Sequence, residues 1–181
     1  PRHAFVPAEV AESAYVNHPL PIGHGQTISQ PYIVALMTAL IQPGAGDVVL
    51  EVGTGSGYQA AILSRLVKHV YSLEIIDTLA VQASRRLQQL GYDNVEVSTG
   101  NGHLGWPEHA PYDAIVVTAA APKVPQALIE QLKPEGTLVI PVGGRHFGQD
   151  LLKIGKDEHG RLSQRSVLPV LFVPLTGSPE D

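Results

Sequence analysis

The residues from Glu51 to Tyr58, Glu-Val-Gly-Thr-Gly-Ser-Gly-Tyr, carry the plainest chemical signal in this chain. Three alternate glycines, Gly53, Gly55 and Gly57, let the backbone turn sharply and approach a ligand where a Cβ would clash. The same turn also serves as a tight strand-to-helix connection with no ligand at all. In a dinucleotide site it would set a pyrophosphate on a helix N-terminus, and Gly55-Ser-Gly57-Tyr-Gln-Ala60 fits the Ala-ending form of that fingerprint. Glu51 argues for a different ligand, because a carboxylate two residues before the first glycine opposes a pyrophosphate and suits an ammonium group. Glu74, about 20 residues further on, suits the two hydroxyls of a ribose. Both features fit a nucleoside with an amino-acid tail, and S-adenosylmethionine is the common one.

Other chemistries are excluded or unsupported. There are no cysteines, which removes disulfides, thiolate zinc sites, iron–sulfur clusters and cysteine nucleophiles. The eight histidines form no His-x-His or His-Glu-x-x-His pattern, so no metal is expected, and His103 and His109 read as solvated loop residues. No Gly-x-Ser-x-Gly elbow or Gly-Lys-Ser/Thr phosphate loop is present. Lys plus Arg is 12 against 17 Asp plus Glu, a net charge of −5 with no basic block, which speaks against a general nucleic-acid binder. No apolar run approaches the ~18 residues of a membrane span, and Pro1-Arg2-His3-Ala4-Phe5 is no signal-peptide core, so a cytoplasmic protein is expected. The chain does not begin with Met, and a segment upstream is expected.

The elements that must position these residues follow from pattern. A length of 181 residues predicts one domain, 1–181, with residues 1–30 as an entry segment, and an apolar fraction of 44% supplies an ordinary core. After the Pro- and Gly-rich stretch Pro19–Gly25, Pro31 opens a helix to about Ile41. Asp47–Val52 reads as a buried strand. Tyr58 to about Lys68 is a helix with Tyr58, Ala61, Ile62 and Leu66 on one face. His69–Glu74 is a strand, and Asp77 caps a helix whose stripe is Leu79, Ala83, Leu87 and Leu90, stopped at Gly91. Strands at Asn94–Thr99, Tyr112–Thr118 and about Gly136–Val142 follow, with a helix around Pro125–Leu132. Asp150–Ile154 and Ser166–Val173 flank the turn at Asp157–Gly160. The alternation predicts an α/β fold: a Rossmann-like, doubly wound, mostly parallel seven-stranded sheet with an antiparallel C-terminal hairpin.

The glycine motif resembles the first motif of Rossmann-like S-adenosylmethionine-dependent methyltransferases. Ala14-Tyr15, Pro19-Leu-Pro-Ile-Gly23, Gly25-Gln-Thr-Ile-Ser-Gln-Pro31, Asp113-Ala-Ile-Val-Val-Thr-Ala-Ala120, Pro141-Val-Gly143 and Phe172-Val-Pro-Leu-Thr176 more specifically resemble the protein-L-isoaspartate O-methyltransferases. The resemblance spans Ala14 to Thr176. It implies methylation of the free α-carboxylate of isoaspartyl residues in damaged peptides and proteins, with S-adenosylhomocysteine as product. The ester then closes to a succinimide, whose opening returns some normal aspartate. Members usually begin with a further helical segment that this chain lacks.

By the same resemblance Ser29 is the functional serine, with helix capping as its plain alternative. Gln26, Thr27 and Ile28 border the cofactor with Ser29, as do Glu51, Gly53, Gly55, Gly57, Glu74, Asn101, Gly102 and Thr176. Ile22, Gly23, Thr118, Ala119, Ala120, Val142 and Gly143 surround the isoaspartyl group. Asn101 and Asn17 stand where Asp is usual; an amide carbonyl at Asn101 can still accept from an adenine amino group. A monomer is expected. A nicotinamide-dependent oxidoreductase and a catalytically silent cofactor-binding module remain as alternatives, and the first predicts a response to NADH in place of methyl transfer.

Overall fold

The chain enters through two 3₁₀ segments, Arg2–Phe5 and Ala8–Ser13, and a hairpin of β1 (Leu20–Gly23) and β2 (Gln26–Ile28). The turn between these strands has positive φ at His24 and Gly25, the backbone that matches strand twist in a two-residue hairpin. This computed structural model describes residues 1–144 and 148–178. Helix α1 (Pro31–Leu40) follows with Pro at its first position and no capping side chain of its own. The Asn17 side-chain oxygen accepts instead from the Tyr32 backbone N–H at 3.0 Å, so the helix is capped from a distant segment.

The remaining elements alternate: β3 (Val48–Val52), α2 (Tyr58–Ser64), β4 (His69–Glu74), α3 (Asp77–Gln89), β5 (Val95–Thr99), β6 (Tyr112–Val117) and α4 (Gln126–Glu130). Three long strands close the chain, β7 (Leu132–Gly144), β8 (Gly148–Lys156) and β9 (Leu162–Val170). They form one seven-stranded sheet in the order β5-β4-β3-β6-β7-β8-β9. The strands from β5 to β7 are parallel, and β8 and β9 run antiparallel to their neighbours. Residues of β3 feed two cores. Val49 packs with Met37, Ala60 and Leu63 on one face, while Leu50 and Val52 pack with Ile115, Leu128 and Leu138 on the other. Strands buried on both faces read as continuous apolar runs, which is why they were visible in the sequence.

Three local expectations are corrected. Helix α2 stops at Ser64, and Leu66 lies beyond it, 43% exposed, so the buried side is Ala60, Ala61 and Leu63 rather than the stripe through Leu66. Helix α4 ends at Glu130 because Leu132 already pairs with Tyr112 in the sheet. Asp77 is the first helical residue, not the cap, and its carboxylate accepts from the Thr99 hydroxyl at 2.8 Å.

Arg2 ties the entry segment down. Its guanidinium is buried, donates to the backbone oxygens of Ala14 and Ser29 at 2.6 Å each, and lies over the Tyr58 ring. Gly143, at φ +140°, sits where β7 meets β8, and a Cβ there would collide with the Gly148 carbonyl. Gly143→Ala is therefore expected to cost on the order of 2 kcal/mol of stability, read as a lowered Tm, with cofactor affinity of the folded fraction unchanged. An unchanged Tm with lost turnover would return Gly143 to the substrate site.

Candidate active site

The ends of β3, β4 and β6 meet where the winding of the sheet reverses, the place where open α/β sheets bind ligands. Beyond Val52 the loop is fastened to β4, since Gly53 and Thr54 both donate backbone N–H to the Leu73 carbonyl, at 2.8 and 3.1 Å. A Cβ on Gly53 would strike the Thr118 hydroxyl, which donates to the Gly53 carbonyl at 2.6 Å. Glu74 closes the other side: one carboxylate oxygen accepts from Gly55 N–H at 2.7 Å, the other from Ile76 N–H at 3.0 Å. Each oxygen keeps a lone pair, so the buried carboxylate shapes the loop and can still accept ligand hydroxyls.

Glu51 is fully buried. Its Oε2 accepts from the Ser72 hydroxyl at 2.5 Å, and Ser72 in turn lies 2.5 Å from the Thr54 hydroxyl. With the Ser72 proton committed to Glu51, Thr54 is the donor in the second bond. Oε1 has no partner. Burial pushes the Glu51 carboxyl up to about 8; the Ser72 hydroxyl opposes the rise, the Glu74 charge adds to it, and the Ala60 backbone N–H opposes it again. An unpartnered buried carboxylate oxygen beside a backbone cradle fits a ligand that brings its own cationic donor, such as the ammonium of S-adenosylmethionine. It disfavours a pyrophosphate.

A cavity of about 70 Å³ lies over this loop. Its walls include the expected Gln26, Thr27, Ile28, Ser29, Glu51, Gly53, Gly55, Glu74, Gly102, Thr118, Ala119 and Thr176. They also include residues that sequence reasoning missed: Tyr58, Gln59, Ile75, Ile76 and Val173–Leu175. Ile75 and Ile76 follow Glu74 directly and could have been inferred from it. Tyr58 and Gln59 continue the glycine motif, and Val173–Leu175 lie in the same motif as Thr176, so these too were within reach of the sequence.

Seven expected residues lie outside these walls. Gly57 starts α2 against Leu87, and Ile22 leans on Gly55. Gly23 opens the hairpin turn. Asn101 spends its side chain on Ser178 and His103. Ala120 exchanges backbone bonds with Val173 and Leu175, Val142 bridges to Ala121, and Gly143 serves the β7–β8 pairing.

A second cavity, about 510 Å³, adjoins the first and is mostly apolar, with Pro19, Ile33 and Leu168–Phe172 among its walls. Thr27, Ser29, Thr118 and Val173 line both cavities. Ser29 caps nothing: Gln30 holds the N-cap position, and the Ser29 hydroxyl has no hydrogen-bond partner among the described residues. Among those residues, no group of three or more His, Asp or Glu is placed to hold a metal ion.

A model of the family described as protein-L-isoaspartate(D-aspartate) O-methyltransferase matches residues 1–180. Protein-L-isoaspartate O-methyltransferase 2 of Syntrophobacter fumaroxidans is 63% identical over 98% of this chain and 72% of its own length. The protein of the same name from Polaromonas sp. is 61% identical over 98% of this chain and 84% of its own length. A solved protein-L-isoaspartate O-methyltransferase superposes with a TM-score of 0.90 at 30% identity, covering 99% of this chain, which spans 59% of that protein. A Plasmodium falciparum protein described as such an enzyme, solved with S-adenosyl-L-homocysteine, superposes with a TM-score of 0.79 at 26% identity over 97% of this chain and 85% of its own.

Two outcomes follow from the carboxylates. Glu74→Ala is expected to weaken S-adenosylmethionine binding ten- to a hundredfold, since hydrogen bonds to a charged group are worth about 1.5–3 kcal/mol; unchanged affinity by calorimetry would remove Glu74 as the ribose ligand. For Glu51, the folded chain retains between pH 4.5 and about 8 a proton that the unfolded chain has released. Its contribution to stability is complete at acid pH and lost as pH rises toward 8. The Tm of cofactor-free Glu51→Gln should therefore gain on the wild type from pH 5 to pH 8. A cationic ligand should also expel the proton, so binding heats at pH 7 should depend on the buffer's ionisation enthalpy. Parallel Tm curves and buffer-independent heats would contradict both statements.

Proposed function

The chain belongs to the protein-L-isoaspartate(D-aspartate) O-methyltransferase family, and we propose that it performs that family's reaction with Ser29 at the acceptor carboxylate and Glu51 and Glu74 on the cofactor. The observation that carries this reading is the shared wall: Ser29 and Thr118 face the cavity above the glycine loop and the larger apolar cavity beside it. One cavity suits the donor, the other the acceptor peptide, and the reacting groups meet between them.

S-adenosylmethionine, when bound, supplies an electrophilic methyl group on a sulfonium that leaves as a neutral thioether. The acceptor is an α-carboxylate with a pKa near ~4, already an anion at neutral pH, so the chain needs no general base. Its work is alignment and exclusion of water. The unengaged Ser29 hydroxyl is free to donate to one carboxylate oxygen and turn the other toward the donor cavity. Arg2, through its bond to the Ser29 carbonyl, holds the backbone that carries that hydroxyl. Glu74 accepts the ribose hydroxyls, and Glu51 accepts the ammonium on Oε1. The apolar walls Ile33, Leu168 and Phe172 take side chains flanking the isoaspartyl residue. We propose a single chain as the working unit and place it in the cytoplasm. No helix among the described residues is long and apolar enough to cross a membrane.

The deciding assay offers labelled S-adenosylmethionine with an isoaspartyl peptide and with its normal aspartyl twin. Label should enter only the first; equal labelling, or none, would contradict the reading. Ser29→Ala should lower the single-turnover rate at least tenfold with cofactor affinity and Tm near wild type, because the hydroxyl is needed in the transition state and caps no helix. A normal rate would remove Ser29 from the chemistry. At saturating cofactor, the rate should stay flat from roughly pH 6 to 8. A steep rise through about pH 6.5 would instead point to a histidine base.

A further inference from the structure

The cavity over the glycine loop is bounded on several sides by loops. Gly53–Ser56, Ile75–Ile76, Gly100, Gly102 and Thr118–Ala119 are loop walls, and the segment that follows β9 adds another. Gln149 takes both backbone groups of Phe172, accepting its N–H at 2.6 Å and donating to its carbonyl at 3.1 Å. Val173 and Leu175 then exchange backbone bonds with Ala120, each at 2.8 Å. Past Leu175 the chain turns through Gly177, at φ +100°, and the Asn101 side chain donates its amide N–H to the Ser178 carbonyl at 2.6 Å.

The orientation of that amide is set chemically. Its oxygen accepts from the His103 backbone N–H at 3.0 Å, so turning it over would face donor to donor at His103 and acceptor to acceptor at Ser178. Gly177 packs directly on it: a Cβ at 177 would lie 2.7 Å from the Asn101 side-chain oxygen and 3.1 Å from the Ile75 Cδ1. Leu175, Thr176 and Ile75 are themselves cavity walls.

We propose that Asn101 is a positioning residue that latches the segment Leu175–Ser178 as a closing strap over the cofactor cavity. The latch requires a donor at this position. A carboxylate keeps the bond to His103 but turns a negative oxygen toward the Ser178 carbonyl. The inference rests on this cavity being the cofactor site.

The test compares Asn101→Asp with wild type by amide hydrogen exchange of the C-terminal peptide, without ligand, and by calorimetric affinity for S-adenosylhomocysteine. At pH 8, exchange past Phe172 should accelerate and the Kd should rise on the order of tenfold, the worth of about one hydrogen bond. As pH falls through the carboxyl range, the protonated Asp regains a donor, and both ratios to wild type should return toward one. Glu74, Asp77 and His103 are the ionisable groups of the surrounding elements and are common to both proteins, so the ratio isolates position 101. Gly177→Ala, which pushes the strap off Asn101 from the other side, should loosen the same peptide even if Asn101→Asp does not fold. Unchanged exchange in both variants overturns the latch, and a loss that ignores pH overturns the donor role. A loosened peptide with unchanged Kd overturns the strap's hold on cofactor, whereas binding that survives Glu74→Ala overturns the assignment of the cavity instead.

Discussion

A carboxylate with no exposure to water, one hydroxyl on Oε2 and nothing on Oε1 is the feature on which the rest of this structure turns. Burying an uncompensated charge is expensive enough that the group holds its proton instead. Glu51 occupies such a position because β3 lies at the centre of a sheet covered on both faces, so even its last side chains are dry. Ser72, one strand over and paired with Glu51 in register, is the neighbour that supplies the single hydroxyl. The site is thereby stable while empty only in its neutral form and complementary to a cation in its ionised form. Stability of the free protein and affinity for the donor then pull in opposite directions at one residue.

The division of labour in the site follows from the chemistry of the acceptor. A nucleophile that is already anionic requires no base, and the described residues that line the two cavities include no histidine. What they contain is geometry. The two cavities share Thr27, Ser29, Thr118 and Val173, and the backbone of this border is held from behind, at Ser29 by Arg2 and at Val173 by Ala120. Thr118, expected beside the isoaspartyl group, commits its hydroxyl to the Val52 and Gly53 carbonyls and so braces the glycine loop as well.

Most of the sheet was legible because buried parallel strands are apolar runs, and the glycine loop because its residue types allow few other conformations. Glu74 was legible from spacing along two consecutive strands. What stayed hidden depended on contacts between segments far apart in the chain. Nothing local marks Arg2 as the staple of Ser29, Asn17 as the cap of α1, or Asn101 as the partner of Ser178. The stretch Pro19–Gly25 was read only as Pro- and Gly-rich, and its sequence did not reveal the hairpin that carries the expected Gln26, Thr27 and Ile28 into the cavity wall. Gly143 was read from its motif as a substrate-side residue, and the pairing of β7 with β8 gives it a structural reason of its own that the sequence did not reveal.

The central claim is that the donor's cation completes Glu51. Selective ¹³C labelling of glutamate carboxyls, with Glu51→Gln to assign the resonance, reads that group directly. In the free protein the signal should titrate near 8, and with saturating S-adenosylhomocysteine, which keeps the ammonium, it should be ionised throughout the neutral range. A Glu51 carboxyl already ionised at pH 6 in the free protein, or one whose titration ignores the ligand, would contradict the account.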